Sequence, residues 1–225
     1  LTIKGKNISF DQGRHTISKS LVLPKGYTIN IYPGTELLFE NNAHIISYSP
    51  IQAIGSASEN ITFMGVNGSR SAIYIQGADQ VSKFIHCRFN QLGQFDLHNI
   101  QTDGALSIYK SKIELDFCQF SDINAKDALN VVMSQCSIYN ATFERCKGDL
   151  LDSYFSNIFI KSMEATRIGK DAIELSGGML TGNHISLINV LRSGIRVSES
   201  AKVNLADLYF REVESGIYSS GYSNV

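Results

Sequence analysis

The chain has 225 residues, with 20 lysines and arginines against 21 aspartates and glutamates and a formal net charge of −1. A chain of this length can bury a sizeable core, and its charge balance gives no strong attraction to nucleic acid or to an anionic membrane surface. No apolar run is long enough to span a bilayer, and no signal peptide is visible. Because the sequence starts without Met and stops inside a repeat, we expect it to be a fragment of a longer chain.

The N-terminal part, residues 1–48, is irregular but strand-like. Residues 21–32 alternate between apolar and polar side chains, and the chain then turns at Pro33-Gly34. A second glycine-marked stretch, Pro50 to Gly55, leads into Ile61-Thr62-Phe63. Alternation at period two is typical of half-buried strands, so these residues are predicted to form the first turns of a solenoid, with a cap at the extreme N terminus.

The second half of the chain repeats about every 22 residues. Three columns of apolar residues show the period: Leu106, Leu129, Leu151, Ile173, Ile195 and Ile217; Phe120, Phe143, Ala165, Leu187 and Phe210; Ile123, Cys146, Ile168, Val190 and Val213. A fixed period of this size indicates a solenoid, because one repeat buries its apolar face only by stacking on the next.

Each repeat contains three short alternating stretches separated by turn residues. In the repeat that starts at Lys126 they are 129–131, 136–138 and 141–143. Three strands per coil predict an all-β, right-handed parallel β-helix of triangular cross-section, since right-handed connection of parallel strands is the rule. We expect one domain over 1–225, with regular coils over 49–225.

One break interrupts the rhythm between Cys87 and Cys118, which occupy equivalent columns but lie 31 residues apart. The extra residues fall at 93–103 and include His98, a candidate base or ligand-binding residue. Insertions in solenoids form loops on one face, often the binding face. A neutral surface loop is the alternative.

The chain resembles the pectin-lyase-like right-handed parallel β-helices. The resemblance rests on residues 33–39, residues 49–55 and the segments that begin at Asp127, Asp149 and Asp171. More narrowly, the chain resembles poorly characterised bacterial envelope-associated β-helix proteins, which implies a cell-envelope or extracellular location in bacteria. The Asp-Pro-His-Asp signature of alginate epimerases and the Gly-His-Gly and Arg-Ile-Lys motifs of polygalacturonases are absent. The resemblance implies a fold and leaves the activity open.

A ladder of carboxylates follows the repeat. Asp127, Asp149 and Asp171 lie 22 residues apart at a predicted corner, and three positions later come Asn130, Asp152, Glu174 and Arg196. The second column falls between inward positions, so it should point outward. Neighbouring strands lie about 4.8 Å apart, so five carboxylates are predicted to crowd one side of three coils.

Three interpretations of the ladder stay open. Close like charges raise pKa values, which suits glycosidic bond cleavage with Asp149, Asp152, Asp171 and Glu174 as catalytic residues. Alternatively, Ca²⁺ would bind to Asp127, Asp149 and Asp171, because Ca²⁺ prefers oxygen ligands. The third interpretation is structural. Lys126, Gly148, Lys170 and Arg192 lie 22 residues apart, each just before a corner position, and Arg196 follows Glu174 in its column, so the basic residues among these would neutralise the ladder.

Two tyrosines lie beside the outward column. Tyr109 and Tyr154 present amphipathic rings that could stack on sugars. The sequence therefore predicts a domain that binds a polysaccharide along one side, with Tyr109, Tyr154, Asn130, Lys170, Arg192, Arg196 and His98 as binding residues. A polysaccharide lyase or glycoside hydrolase, and a noncatalytic structural or adhesin scaffold, are the alternatives. Whether the protein is an enzyme is left undecided at this stage.

Overall fold

The computed structural model describes residues 1–66, 68–97 and 100–223, and within them the chain contains strands and no helix. The strands stack into a β-solenoid of about nine turns with about 23 residues per turn. The predicted parallel β-helix is confirmed. In this part of the chain there is accordingly no helix long and apolar enough to cross a membrane.

The strands form three sides of the solenoid. Strand β1 (Thr2–Lys4) is antiparallel to β2 (Asn7–Phe10) and lies at the N-terminal end. Side one contains β4 (Leu21–Leu23), β7 (Ile45–Ser47), β10 (Ile73–Gln76), β15 (Gly104–Tyr109) and β18 (Asp127–Val132). Side two contains β2, β5 (Thr28–Ile31), β8 (Ile51–Ile54), β11 (Ser82–Ile85), β16 (Lys112–Asp116) and β19 (Gln135–Tyr139). Side three contains β3 (Gly13–Ile17), β6 (Thr35–Phe39), β9 (Ile61–Gly65), β12 (Cys87–Asn90), β17 (Gln119–Ile123), β20 (Ala141–Cys146) and β22 (Met163–Ile168).

The later coils are continued by long strands that pass from one side to the next. These strands are β21 (Asp149–Ile160), β23 (Ile173–Ser198) and β24 (Lys202–Ser219). Every pairing between successive coils is parallel and follows the repeat. Leu106 pairs with Leu129, Leu129 with Leu151, and Leu151 with Ile173. The columns predicted from the sequence are therefore the observed register.

A stack of phenylalanines forms the centre of the core. Phe63, Phe89, Phe120 and Phe143 occupy one inward column of side three and are fully buried. Their ring centroids lie 5.0, 4.4 and 4.7 Å apart with nearly parallel planes. Each large ring thus buries both faces against the coils above and below, which removes apolar area from water.

Sharp corners separate the sides. Between sides one and two, Lys110, Met133 and Phe155 have left-handed φ values of 46–48°, and on the next coil Gly177 takes this position with a φ of 70°. The following serines satisfy the backbone at this corner, since Ser111 N–H donates to Ser134 Oγ and Ser134 N–H to Ser156 Oγ. The corner therefore repeats in space as a hydrogen-bonded column.

The inserted loop 93–103 folds back over side one. Its strands β13 (Asp96–Leu97) and β14 (Ile100–Gln101) form a short antiparallel hairpin, and His98 lies outside the described residues. Phe95 packs on His44 with ring centroids 4.0 Å apart, and burial lowers the pKa of His44 to about 4, so this histidine is neutral at pH 7. Thr102 N–H donates to Phe95 O at 2.9 Å. These contacts hold the loop as a wall along side one.

The phenylalanine stack provides a test of the fold. Phe120→Ala is expected to lower the free energy of unfolding by about 3–5 kcal/mol, because it opens a cavity between two rings. Phe159→Ala removes a ring that is 39% exposed on side two and should cost far less. Urea denaturation of the two variants measures the difference, and equal losses would contradict the stacked core.

Candidate functional site

Two neighbouring outward columns of side one carry the candidate site. The first runs through Tyr74, Ser107, Asn130, Asp152 and Glu174, which are paired coil by coil. The second runs through Tyr109, Val132 and Tyr154. Residues two apart on a strand share a face, so the two columns form one continuous surface parallel to the solenoid axis.

A groove of about 360 Å³ lies on this surface. It is lined by Tyr74, Ser107, Ile108, Tyr109, Asn130, Val132, Asp152 and Tyr154 from side one, and by Ile100, Gln101 and Asp103 from the inserted loop. The loop therefore forms one wall of the groove. Larger depressions lie at other corners of the solenoid, but neither includes residues of the carboxylate ladder.

The 22-residue repeat alone does not predict that Tyr74 and Ser107 line the groove. Tyr74 and Ser107 share the column of Asn130, but Ile73 and Leu106 are paired across an interval of 33 residues that includes the inserted loop. Because the inserted loop lengthens this interval, the repeat does not show that Ile73–Gln76 pairs with Leu106–Tyr109. Aligning the alternating stretch Ile73–Gln76 with Leu106–Tyr109 across the loop would have placed Tyr74 in the site.

The corner aspartates are buried. Asp127, Asp149 and Asp171 are 0, 4 and 2% exposed, whereas Asp152 and Glu174 are partly exposed. Asp149 Oδ1 accepts a hydrogen bond from Asp171 N–H at 2.8 Å, and Asp171 Oδ1 accepts one from Ser193 N–H at 2.8 Å. These two carboxylates connect successive coils. Of the five ladder carboxylates, those of the corner column are therefore buried, and those of the outward column reach the surface.

Asp127 differs from the other two rungs. Asp149 N–H donates to Lys126 O at 2.8 Å, so the Asp127 carboxylate receives no backbone donor from the next coil. Its Oδ2 accepts a hydrogen bond from Asn130 Nδ2 at 3.0 Å, while its buried Oδ1 finds no partner among the residues that the structure describes. Burial, with the nearby carboxylates of Asp152 and Asp149, raises the pKa of Asp127 to about 8.

Basic side chains lie close to most of the ladder carboxylates and neutralise their negative charge. Lys170 Nζ lies 3.4 Å from Asp149 Oδ2. Arg196 lies 3.7 Å from both Asp171 Oδ2 and Glu174 Oε1. Lys126 Nζ lies 2.9 Å from Asp103 Oδ2. Arg192 is exposed at the same corner and makes no ion pair within the described residues. The neutralising role predicted for the basic column therefore applies to Lys170 and Arg196.

The residues fit Ca²⁺ poorly. Carboxylate oxygens of Asp149, Asp171 and Glu174 lie within 4.8 Å of one another, in a group that does not include Asp127. Ca²⁺ takes six to eight oxygen ligands, but here Lys170 and Arg196 already occupy the approach to these carboxylates. A bound ion would have to displace both cations. Calcium binding to Asp127, Asp149 and Asp171 stays a prediction.

Asp152 is the ladder carboxylate that faces the groove. Its one hydrogen bond is a long contact of 3.5 Å from Asn130 Nδ2, and no cation lies within ion-pair distance of it in the described chain. Burial raises its pKa to about 6, with the neighbouring Glu174 carboxylate adding to the rise and Lys126 opposing it. Burial also raises the pKa of Glu174. Asp152 is therefore a carboxylate with a free acceptor directed at the groove.

The structure brings together part of the predicted set. Tyr109, Tyr154, Asn130 and Asp152 line one groove. Glu174, Lys170 and Arg196 lie on the following coils, beyond the lining, while Asp149 and Asp171 are buried behind them. These roles stay predictions.

Comparison of the chain with protein-family models, curated proteins and solved structures found no match. The β-solenoid supports the broader part of the proposed resemblance, a parallel β-helix.

The buried aspartate predicts how stability depends on pH. The folded-state pKa of Asp127 is about 8, above its ordinary value of 3.8, so the folded protein keeps a proton that the unfolded chain releases. Stability should consequently fall as the pH rises from about 4 to about 8. Asp127→Asn should remove this loss. Each pKa unit corresponds to about 1.4 kcal/mol, so we expect a gain of at least about 1 kcal/mol at pH 8.

The measurement is urea unfolding of wild type and Asp127→Asn at pH 4, 6 and 8. The two proteins should converge at pH 4 and diverge as the pH rises. Asp11→Asn, the same chemical change at an exposed position, is the control and should follow wild type. An Asp127→Asn protein that is no more stable than wild type at pH 8 would show that this carboxylate is ionised without penalty.

Proposed function

We propose that side one binds a glycan chain, which lies along the solenoid axis in the groove between the inserted loop and the two outward columns. The observation that carries this proposal is a groove whose lining combines three tyrosine rings with amide and carboxylate side chains. Such linings suit sugars, which offer apolar ring faces and a rim of hydroxyl groups.

The spacing of the tyrosines supports a linear ligand. Tyr109 and Tyr154 occupy one column with Val132 between them, so they are separated by two strand spacings, or roughly 10 Å. Tyr154 is 46% exposed, which leaves its ring available for stacking. Tyr74 lies one coil before Tyr109, in the neighbouring column. The three rings together extend over about three strand spacings.

The polar residues between the rings supply hydrogen bonds. Asn130 and Asp152 lie on the floor, and Gln101 and Asp103 lie on the loop wall. Amide groups donate and accept, while ionised carboxylates accept only. A chain of sugar hydroxyls that passes between the floor and the wall would meet both kinds of partner. This arrangement favours binding along the axis over binding across it.

Hydrolysis or lyase chemistry on a polysaccharide is the second candidate. It is favoured by the pKa of about 6 at Asp152, since a carboxyl group with a pKa near the working pH can act as a general acid. Glu174 is the next residue in the column, about one strand spacing of 4.8 Å further along. Its contact with Arg196 opposes the rise in pKa that burial causes and so favours the ionised form that a nucleophile or base requires. This candidate preserves the resemblance to pectin-lyase-like proteins and, like the first, implies an exported or envelope-associated protein.

The tyrosines provide the test. Tyr109→Ala and Tyr154→Ala should each weaken retention of a bound polysaccharide, by up to about tenfold for loss of a stacking ring. Tyr139→Ala, on side two, is the matched control and should bind like wild type. The measurement is affinity electrophoresis against neutral, acidic and amino polysaccharides, with thermal melting to verify that each variant is folded.

Chain length measured in the same samples separates the candidates. Retention with unchanged chain length supports a binding domain. Shortening that is abolished by Asp152→Asn supports the enzyme. Failure to retain any polymer across the panel, or equal retention by all three tyrosine variants, would contradict the proposal and favour a structural scaffold.

A further inference from the structure

The charges around the groove are unevenly matched. Six carboxylates cluster on and behind the site, from Asp103, Asp127, Asp149, Asp152, Asp171 and Glu174. Three cations pair with four of these groups: Lys126 with Asp103, Lys170 with Asp149, and Arg196 with Asp171 and Glu174. Asp127 and Asp152 have no ion-pair partner among the described residues, and of these two only Asp152 lines the groove.

The lining of the groove shows the same imbalance. Of the described residues that form it, two are acidic, Asp103 and Asp152, and none is basic. Behind Asp152 lies the fully buried Asp127 with its unpartnered Oδ1. Because burial raises the pKa of Asp127 to about 8, this carboxyl group is protonated at pH 7, and Asp152 is the carboxylate on the floor with which a positive charge in the groove would pair.

The aromatic rings add a second preference for positive charge. Tyr154 lies two residues after Asp152 on the same strand and the same face, whereas Tyr109 lies two coils earlier. The faces of tyrosine rings attract cations, and Lys110 Nζ lies 5.2 Å from the centroid of the Tyr109 ring. A compact ammonium group beside Tyr154 would meet the Asp152 carboxylate on the floor and the negative face of the Tyr154 ring.

We infer that the groove takes a polysaccharide with free primary amino groups, whose ammonium group donates a hydrogen bond to Asp152 beside the ring of Tyr154. This inference rests on the proposed glycan-binding function and specifies its ligand. Acetylation of the amine removes the charge and so removes this interaction. A polymer of uronic acids would place its carboxylates against Asp103 and Asp152 and should be rejected.

The test compares three hexasaccharides of equal length by isothermal titration calorimetry: hexaglucosamine, its fully N-acetylated form, and hexagalacturonate. Wild type should bind the amine at least about tenfold more tightly than the acetylated form, as expected for a hydrogen bond between charged groups. It should bind the uronate most weakly. Raising the salt concentration should shrink the preference for the amine, because exposed charges are screened.

Asp152→Asn removes the charge and keeps the shape. It should bind the amine and the acetylated form within about twofold of each other. Asp207→Asn, the same change at an exposed site on the last coil, should keep the preference of wild type. The salt dependence of wild type needs no variant, so a folding defect in Asp152→Asn cannot hide the answer.

The outcomes separate the inference from the proposal on which it rests. Equal binding of amine and acetylated forms by wild type would overturn the inference and leave glycan binding intact. Tightest binding of the uronate would overturn it as well. If none of the three hexasaccharides binds, both the inference and the proposed function are contradicted for these sugar classes.

Discussion

The structure depends on one constraint, the in-register stacking of parallel strands from coil to coil. Each backbone group of one coil pairs with the next, so a residue at a given column lies about 4.8 Å from its equivalents above and below. The constraint produces the phenylalanine stack in the core and also the polar columns on side one. Similar side chains are forced together whether this is favourable, as for Phe89 and Phe120, or costly, as for Asp127 and Asp149.

The protein accommodates the costly column in two ways. Asp149 and Asp171 accept backbone hydrogen bonds from the following coil and are approached by Lys170 and Arg196. Asp127 has neither kind of partner, and its one hydrogen bond comes from the side-chain amide of Asn130; burial raises its pKa to about 8, so it is protonated at pH 7. The carboxylates of Asp149 and Asp171 therefore have a structural explanation, whereas Asp152, which lines the groove, has no cationic partner among the described residues. The proposed binding site therefore lies beside the ladder carboxylate that no basic side chain neutralises among the described residues.

Because the repeats are regular, the sequence predicts most of the pairing between coils. From Leu106 onward the coils lack long insertions, so spacing alone predicted the pairing of Leu129 with Leu151 and of Asp152 with Glu174. The spacing does not place Tyr74 in the site, because the inserted loop separates Tyr74 from Ser107 in the sequence. The burial of Asp127 could not be predicted, because alternation gives no inward or outward direction to a residue at a corner. Asp127 lacks a backbone donor because Asp149 N–H donates to Lys126 O instead of to the Asp127 carboxyl group, and the spacing of residues does not predict this choice.

The central claim is that a glycan lies along side one, over Tyr109 and Tyr154. A crystal structure of the protein with its tightest-binding hexasaccharide tests this most directly. The account predicts sugar rings against both tyrosines, a chain direction parallel to the solenoid axis, and hydrogen bonds to Asn130 and Asp152. A sugar bound on side two or side three, or lying across the axis without contact to either tyrosine, would contradict it.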